Sequence, residues 1–247
     1  MKVAKQFATF FKDVRGMIFS YSRLSLYEQC PYRFKKVYVD SEKESESLPL
    51  ALGKAVHKAI ELRLKGFPED TSIARGFQEA NFHKELNFSE VEKLTRRVKL
   101  DKYLGKLETV EFSFQLPLTN FLTFRGVIDL ITTDGEIVDW KTNRKMYDAR
   151  DTKQLALYAW AVSEFYAFEK VRGTLSFLRF KEERTTIFTE SDLQAARMWA
   201  IGVASEINWA LEQLKKQPNL EHVLFPARPS SRCKTCPFSI ECYLKRI

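Results

Sequence analysis

The chain has 247 residues, of which 45% are hydrophobic and 29% are charged, a balance typical of a globular protein and unlike that of a disordered one. Its formal net charge of +8 favours anionic partners, of which nucleic acid is the commonest, although a merely basic protein carries the same charge. Apolar runs are too short for a transmembrane helix, and charges interrupt the N-terminal stretch where a secretory signal would be apolar. We therefore expect a cytoplasmic protein without membrane contact, folded as one domain, 1–247.

The segment 20–49 is predicted to contain a short helix and a loop. Ser22 or Ser25 is a candidate N-cap for the helix. The pair Cys30-Pro31 interrupts the helical pattern. Residues 40–49 are charged and rich in serine, which predicts a loop.

Residues 50–107 are predicted to form a helical region. Apolar side chains recur at helical spacing over 50–66, which predicts one amphipathic helix. The stretch 71–107 is polar and rich in lysine and arginine, and we expect it to be helical and to cover another part of the molecule.

The periodicity changes in the next part of the chain, 110–216. The tripeptide Thr133-Asp134-Gly135 between two apolar segments predicts a hairpin. This order predicts a mixed α/β fold around one central sheet flanked by helices, followed by a loop-like, cysteine-rich segment, 218–247. The predicted strands are 110–118, 122–132, 136–141, 172–180 and 184–189. The predicted helices are 151–169 and a long helix that Ser191 or Thr189 can cap and that runs to about Lys216.

Charged residues occupy two strands that are otherwise apolar, and burial of a charge is costly without a partner. Asp129 lies within one strand, and Asp139 and Lys141 share one face of the next because side chains alternate along a strand. A three-residue loop, 133–135, with Gly135 in a left-handed conformation, places Asp129 opposite Asp139. A two-residue loop would place the two carboxylates on opposite faces. We predict the three-residue loop.

Two carboxylates and a lysine on one face are suited to phosphodiester hydrolysis. Asp129 and Asp139 can bind one or two Mg²⁺ or Mn²⁺ ions, which prefer oxygen ligands. Such ions polarise a phosphate and lower the pKa of a bound water. Lys141 can position that water and stabilise the negative charge that develops. A partly buried salt bridge between Lys141 and either carboxylate would explain the same residues without catalysis.

The segment 126–141 resembles the D-x(n)-(D/E)-x-K core of the PD-(D/E)XK nuclease superfamily. It is most similar to the RecB-like branch, in which G-x-x-D precedes the D-x-K strand. The resemblance implies a restriction-endonuclease-like α/β fold, with a central mixed sheet flanked by helices. It also implies that the core 110–216 is catalytic. Asp139 stands where the family often has Glu, and the shorter side chain could shift the position or identity of the metal.

Three further features match that branch in its order, so that the resemblance spans about residues 22–242. His57 follows Gly53 by one helical turn, and the family uses such a histidine as a metal ligand. Glu111 begins a strand that often carries an acidic residue near the metal. Gln154 and Tyr158 lie four residues apart on one helix face. In the family, the corresponding pair lies beside the active site and contacts substrate or the catalytic lysine. Each of these residues taken singly has an ordinary structural explanation. The resemblance implies Asp129, Asp139, Lys141, Gln154 and Tyr158 as catalytic residues and His57, Glu111, Asp129 and Asp139 as metal ligands.

The four cysteines are Cys30, Cys233, Cys236 and Cys242, and in a reducing compartment they should be thiols. Their spacing suits zinc or an iron–sulfur cluster. Iron–sulfur RecB-like nucleases, such as the AddB nuclease domain and CRISPR-adaptation nucleases, have one N-terminal cysteine and a similar C-terminal triplet. This resemblance implies a [4Fe–4S] cluster, with structural Zn²⁺ and free thiols as alternatives. The cluster would join Cys30 to 218–247 and stabilise the fold.

Basic and aromatic residues flank the proposed cluster and follow the catalytic strand. Arg33 and Lys35 alternate with aromatic side chains after Cys30, and Arg144 follows Lys141. Positive charges bind phosphates and aromatic faces stack on unpaired bases, so we predict that Arg33, Lys35, Arg144 and Tyr158 contact nucleic acid. An ordinary solvated surface with core aromatics is the alternative.

These patterns predict a metal-dependent DNA nuclease, and the resemblance to the RecB-like branch implies an exonuclease acting on the ends of single-stranded DNA. A structure-specific endonuclease, or a nuclease subunit of a recombination or repair complex, is one alternative. The chain has no G-x-x-x-x-G-K-[ST] phosphate loop and therefore no evident ATP-driven motor of its own. A separate helicase is therefore a possible partner. A non-catalytic nucleic-acid-binding protein with a cluster or zinc is another alternative. A binding protein needs no Asp129, Asp139 and Lys141 together, which favours the nuclease.

Overall fold

The computed structural model describes residues 18–168 and 170–244, which fold as a mixed α/β protein with a central mixed sheet flanked by helices. The strands are β1 (Ile18–Phe19), β2 (Leu107–Pro117), β3 (Thr123–Thr132), β4 (Glu136–Lys141), β5 (Val171–Phe177) and β6 (Glu182–Phe188). The helices are α1 (Tyr21–Gln29), α2 (Pro31–Tyr38), α3 (Leu48–Leu64), α4 (Glu69–Glu79), α5 (Phe88–Thr95), α6 (Lys153–Phe165), α7 (Glu190–Lys216), α8 (Glu221–Leu224) and α9 (Ser239–Leu244). Short 3-10 helices lie at Leu100–Lys102, Ala149–Asp151, Pro218–Leu220 and Ser231–Thr235. No helix in this part of the chain is both long and apolar enough to cross a bilayer.

The predicted order of elements is confirmed: a helical region precedes β2, β3, β4, α6, β5, β6 and the long α7. The bounds of β4 agree with the prediction. The sequence does not predict β1, because two residues are too few to show a period. The tail from 218, predicted to be loop-like, contains the short helices α8 and α9.

The N-cap of α1 differs from the prediction. Ser20, and not Ser22 or Ser25, accepts a hydrogen bond from the backbone N–H of Arg23 at 3.4 Å. The helix therefore starts five residues earlier than a cap at Ser25 would allow. The predicted break at Pro31 is a junction where α2 begins, because proline fits the first position of a helix.

The helical stretch predicted over 71–107 is divided into two helices and a 3-10 turn. Asn81 and Phe82 both have φ of 49°, a left-handed conformation that ends a helix of L-residues. Asn87 then caps α5, because its side chain accepts a hydrogen bond from the backbone N–H of Glu90 at 3.1 Å.

The chain divides into two compact units. The first unit contains the described residues up to Ser45, Gln115–Arg125, and the described residues from Arg197 onward. The second unit contains Glu46–Phe114 and Gly126–Ala196. The assignment of one nuclease domain to 1–247, with its helical, catalytic and cysteine-rich parts, stays a prediction.

The hairpin of β3 and β4 has the predicted register. Leu130 lies opposite Val138, and Ile131 lies opposite Ile137. The connecting loop has three residues and ends at Gly135, whose φ of 78° is the left-handed conformation that this loop requires. The three-residue loop is therefore confirmed, and extension of this register places residues 129 and 139 opposite each other.

The pairing of the strands determines which residues lie beside the C-terminal end of β4. β4 pairs with β5 in parallel, and β5 pairs with β6 in antiparallel orientation. β2 also pairs with β3. In the first unit, β1 pairs in parallel with the first residues of β3. Because β4 and β5 are parallel, Lys141 at the end of β4 lies beside Phe177 at the end of β5.

Alternate residues of β4 serve opposite faces of the sheet. Val138 and Trp140 belong to a buried cluster that also contains the apolar face of α3. Lys141 instead contacts Gln154 of α6. The alternation expected of a strand thus sends apolar side chains toward α3 and the charged pair toward α6.

Candidate active site

The end of β4 carries a buried ion pair. Lys141 Nζ lies 2.7 Å from Asp139 Oδ2, and the two side chains are only 14% and 6% exposed. Burial raises the pKa of Asp139, and the charge of Lys141 opposes that shift. Burial lowers the pKa of Lys141, but the charge and hydrogen bond of Asp139, together with the charges of Tyr147 and Asp129, outweigh burial, so the pKa of Lys141 is raised and the ammonium stays protonated.

Helix α6 holds the other side of this lysine. Lys141 Nζ donates to Gln154 Oε1 at 3.0 Å, and Gln154 Nε2 donates to the Tyr158 hydroxyl at 3.3 Å. Thr152 caps α6 by accepting a hydrogen bond from the backbone N–H of Gln154 at 3.2 Å, which fixes the first turn. Burial, and then the charge of Asp139, raises the pKa of the Tyr158 hydroxyl, so it remains neutral. The ammonium is thereby held in place from two sides.

Gly126 leaves the space in which Tyr158 lies. A Cβ atom at this position would lie 2.8 Å from Tyr158 Cε1 and 2.7 Å from Phe114 Cζ, closer than side chains tolerate. The two rings meet edge to face, with centroids 5.9 Å apart. The Gly126-x-x-Asp129 motif therefore has a physical reason: the glycine allows the tyrosine to lie against β3.

Asp129 connects β3, β4 and α3. Its carboxylate accepts a hydrogen bond from the backbone N–H of Trp140 at 2.8 Å. The same carboxylate lies 3.2 Å from His57 Nδ1 on α3. Burial lowers the pKa of His57, but the charge and hydrogen bond of Asp129 and the charge of Asp139 outweigh it and raise the pKa to about 9.

Glu111 lies at an irregularity of β2. Its φ of 57° is left-handed, which is rare for a residue with a side chain and marks a bulge in a strand. Thr109 and Phe112 both contact Tyr166, although residues three apart face opposite sides of a regular strand. Val110 packs against the cluster around α3. The bulge therefore turns Val110 and Glu111 toward the same face.

The charges around Glu111 show which groups it faces. Burial raises the pKa of Glu111 to about 7, and the charges of Asp129 and Glu61 add to this shift. The charges of His57 and Lys58 oppose it. Glu111 is thus an acidic side chain in the surroundings of the Asp129–His57 pair, and backbone strain accompanies its position.

The donor set suits a hard divalent cation, although the side chains do not surround one point. Within residues 18–168 and 170–244, no three His, Cys, Asp or Glu side chains form a group close enough to hold a metal ion. Asp139 Oδ2 is buried and accepts no hydrogen bond of good geometry, although it lies in the ion pair with Lys141. Buried carboxylates with an imidazole beside them are groups that a divalent cation would stabilise. The fitting donors are His57, Glu111, Asp129 and Asp139.

The four cysteines all lie in the first unit and are free thiols. Cys30 lies at the junction of α1 and α2, and Cys233, at the start of the C-terminal triplet, is exposed. Burial raises the pKa of Cys242, and the charges of the other three thiols add to this shift. Cys30, Cys233 and Cys236 are therefore close enough to influence Cys242 electrostatically, despite the long separation of Cys30 from the other three in the sequence.

The residues predicted to contact nucleic acid have different surroundings. Lys35 is buried and pairs with Asp40 at 2.8 Å and Glu221 at 3.1 Å, so two carboxylates already neutralise its ammonium, and its contact with phosphate stays a prediction. Alternation of basic and aromatic residues suggests a surface, but α2 turns this lysine inward. Arg144 is exposed in the segment after β4. Tyr158 is buried against Gly126, as described above.

Arg33 lies among the residues that surround the cysteines. Its Nε and Nη2 atoms donate to the two carboxylate oxygens of Glu44 at 2.7 and 2.9 Å. Those hydrogen bonds raise the pKa of Arg33, burial opposes the shift, and the charges of Cys236 and Cys30 add to it. This position favours an electrostatic role beside the thiols.

Arg179 is a neighbour of the site that the sequence does not single out. Its Nε atom donates to the carbonyl oxygen of Thr142, the residue after Lys141, at 2.8 Å. Arg97 donates to the carbonyl oxygens of Leu178 and Arg179 at 2.9 and 2.7 Å. No local pattern distinguishes these arginines from other surface cations, because their partners, which are backbone carbonyl oxygens and the carboxylate of Glu90, are distant in the sequence.

Residues 18–243 match the PD-(D/E)XK nuclease superfamily. Because this match covers most of the chain, the protein belongs to that superfamily, whose members generally use divalent metals such as Mg²⁺. Asp129, Asp139 and Lys141 lie within the matched residues. A search of curated proteins finds no match to this chain.

Two solved structures are similar to this chain. The crystal structure of a candidate exonuclease from Eubacterium rectale aligns over 90% of this chain and 86% of its own, with 14% sequence identity and a TM-score of 0.53. At this identity the similarity concerns the fold. The crystal structure of SSO0001 covers 85% of this chain and 94% of its own with 15% identity, but its TM-score of 0.37 supports no argument.

Proposed function

We propose that the chain is a Mg²⁺- or Mn²⁺-dependent deoxyribonuclease of the RecB-like branch, and that it shortens single-stranded DNA from its ends. The observation that carries this proposal is the buried ion pair of Asp139 and Lys141, held on its other side by Gln154. A salt bridge with only a structural role would not need the neighbouring Asp129–His57 pair. Membership of the nuclease superfamily supports the same reaction class.

The carboxylates and Lys141 have different roles in the proposed reaction. His57, Glu111, Asp129 and Asp139 would hold the cation. When bound, a divalent cation supplies positive charge that polarises the scissile phosphate. The hydrogen bond from the backbone N–H of Trp140 keeps the Asp129 carboxylate in place. The positive φ of Glu111 in β2 and the influence of Asp129 on its pKa support Glu111 as a further ligand.

Lys141 is the group that would meet the reacting phosphate or the attacking water. Asp139 and Gln154 restrain its ammonium at 2.7 and 3.0 Å, and an ammonium has three N–H donors. The remaining donor can orient a water or stabilise negative charge as it develops, without rearrangement during the reaction. Tyr158 acts one step further away, because its hydroxyl fixes the amide of Gln154.

The preference for DNA ends is supported by a similar structure and by the charge of the chain. The similar structure from Eubacterium rectale is named as a candidate exonuclease. The net charge of +8 and the exposed Arg144 beyond β4 suit a polyanionic strand. A helicase or recombination partner would be compatible with the same site.

We further propose that Cys30, Cys233, Cys236 and Cys242 ligate a [4Fe–4S] cluster with a structural role. The electrostatic influence of Cys30, Cys233 and Cys236 on Cys242 supports this ligand set. Anaerobically purified protein should contain iron and sulfide in equal amounts and absorb broadly in the visible range. Zinc without iron would instead identify a structural zinc site.

The nuclease is tested by cleavage of end-labelled single- and double-stranded DNA with Mg²⁺, with Mn²⁺ and with a chelator. Wild-type protein should release labelled short products from single strands only when metal is present, and Lys141→Ala should release none. The labelled end shows the polarity. Tight binding of DNA without cleavage under all metal conditions would contradict the proposal and favour a non-catalytic binding protein.

A further inference from the structure

A basic cavity lies in the second unit, apart from the residues assigned to catalysis. Its volume is about 420 Å³, and α5, the residues after α5 and the residues after β5 form its walls. Lys93, Arg97 and Arg179 bring three positive charges to it, against one carboxylate, Glu90. A cavity with an excess of cations is suited to an anion.

The cations of this cavity are unequally neutralised. Arg179 pairs with Glu90 at 2.6 Å. Arg97 donates only to carbonyl oxygens and has no carboxylate partner among the described residues. Lys93 is exposed and, within the same part of the chain, has neither a hydrogen bond nor an ion pair through its side chain. Two of the three cations therefore lack a counter-ion.

This cavity adjoins the strand that carries the catalytic residues. Arg179 donates to the carbonyl oxygen of Thr142, directly after Lys141. The backbone N–H of Leu178 donates to the carbonyl oxygen of Lys141 at 2.9 Å. The carboxyl ends of parallel strands form one edge of the sheet, where ligands commonly bind. An anion in the cavity would therefore lie at the same edge as the catalytic lysine.

An aromatic surface continues from the basic cavity. A second cavity of about 560 Å³ is lined by Phe77, Phe82 and Phe88 and by the cation Arg75. The two cavities share the start of α5, because Phe88 lines one while its two sequence neighbours line the other. Phe82 is 69% exposed and Phe88 is 55% exposed.

Large aromatic side chains usually gain stability by burial, so the exposure of Phe82 and Phe88 requires another explanation. Phe82 adopts a left-handed conformation that is strained for a residue with a large side chain. Its ring nevertheless remains in solvent and contributes little to the core. Phe88 stacks on Phe77, with centroids 5.9 Å apart and an interplanar angle of 20°, so the ring of Phe88 is already held in place.

We propose that these two adjoining cavities form an accessory site for a single strand of nucleic acid, with a backbone phosphate among Lys93, Arg97 and Arg179 and bases stacked on Phe82 and Phe88. Base faces are available for such stacking in an unpaired strand and are covered in a duplex. Positive charge beside aromatic rings is the combination that such strands require. The inference rests on the proposed function only for the expectation that the strand continues toward Lys141.

Binding without cleavage tests this site. A fluorescently labelled oligothymidylate and a blunt hairpin duplex would be titrated by fluorescence polarisation in the presence of a chelator, so that nuclease activity is not needed. Lys93→Glu should weaken binding of the oligothymidylate by about tenfold or more and reduce the salt slope by about one. Lys99→Glu, an exposed lysine outside both cavities, is the matched control for charge.

Phe82→Ala tests the aromatic half with little risk to the fold, because its ring is largely exposed. It should weaken binding of the single strand by about fivefold or more and leave the duplex unaffected, because only unpaired bases stack. Equal binding by Lys93→Glu and Lys99→Glu, or equal losses for single strand and duplex in Phe82→Ala, would overturn the site.

Competition with small anions identifies the source of the phosphate. Thymidine monophosphate and inorganic phosphate should compete only weakly with the oligothymidylate. Competition by thymidine monophosphate as strong as by the oligonucleotide itself, with loss in Lys93→Glu, would assign the cavity to free nucleotides and overturn the proposal. Absence of cleavage with every metal would refute the proposed nuclease function and leave the accessory site untouched. The binding measurements do not require cleavage.

Discussion

The carboxylate–lysine site of the second unit and the cysteine region of the first unit differ in how far the chain itself fixes them. In the second unit, Lys141 is restrained by Asp139 at 2.7 Å and by Gln154 at 3.0 Å. In the first unit, no disulfide joins the four thiols, and Cys233 is exposed. Packing and hydrogen bonds thus define the geometry of the proposed active site, whereas in the cysteine region the proposed cluster would fix the positions of the sulfur atoms.

The largest effect is expected from Asp139→Asn. Loss of the carboxylate removes a proposed metal ligand and the counter-ion of Lys141, so cleavage should fall at least about 100-fold. Breaking this buried pair should also lower the free energy of unfolding by about 3 kcal/mol. Cleavage rates and chemical denaturation measure the two effects.

The matched control for that variant is Asp134→Asn in the same hairpin. Asp134 pairs with Arg172 at 2.8 Å, and its side chain is 49% exposed. An exposed pair contributes at most about 1 kcal/mol, so stability and cleavage should change little. Similar losses in both variants would refute the distinction between a restrained buried site and an ordinary salt bridge.

Cys236→Ser should damage the cysteine region and spare the chemistry. We expect loss of bound iron and a decrease of about 2–4 kcal/mol in the free energy of unfolding, by analogy with a cross-link that closes a long loop. Protein that remains folded at low temperature should still cleave DNA. Thr235→Ala, beside it in the sequence, should keep its iron. Full cleavage loss without loss of iron or stability would show that the cysteine serves catalysis.

Gly126→Ala tests whether close packing positions the proposed site. The added Cβ would lie within 2.8 Å of the rings of Tyr158 and Phe114 and displace them. We expect about 1–3 kcal/mol of destabilisation from overpacking, together with about tenfold slower cleavage.

Gly53→Ala is the matched control for that close packing. A Cβ at Gly53 meets only Thr142 Oγ1, at 3.8 Å, which is ordinary contact. In the interior of α3 the change should stabilise the protein by about 0.5–1 kcal/mol. Thermal unfolding should therefore shift in opposite directions for the two variants, and a shift in the same direction would contradict the packing argument.

The smallest effect is expected from Tyr158→Phe. It removes the hydroxyl that accepts a hydrogen bond from Gln154 at 3.3 Å and leaves the ring in place. A single neutral hydrogen bond contributes about 1 kcal/mol, so cleavage should slow about threefold to tenfold. A loss as large as that of Asp139→Asn would mean that the hydroxyl acts directly on the substrate.

Several features of the site follow from short segments of sequence. The apolar runs around Asp129 and Asp139 predict the strands, and Gly135 selects the three-residue loop. The spacing of Gln154 and Tyr158 predicts one helix face. Such features depend on local periodicity and turn chemistry, and for that reason the register of β3 and β4 is predicted correctly.

Other features could not be predicted from those segments. Lys35 lies in a basic and aromatic stretch that suggests a surface, yet its ammonium is buried between Asp40 and Glu221. The bulge at Glu111 lies in a segment whose alternation predicts a regular strand. Partners distant in the sequence and local backbone strain decided these positions.

The sequence by itself determined the order of elements, the hairpin register and the single face shared by Asp139 and Lys141, because these depend on a period of two and on one glycine. Only the tertiary structure decided that His57 meets Asp129, 72 residues away, and that Arg179 joins a basic cavity to the end of β4. Those contacts arise when helices pack on a sheet, and the free energy of such packing is shared among many distant residues.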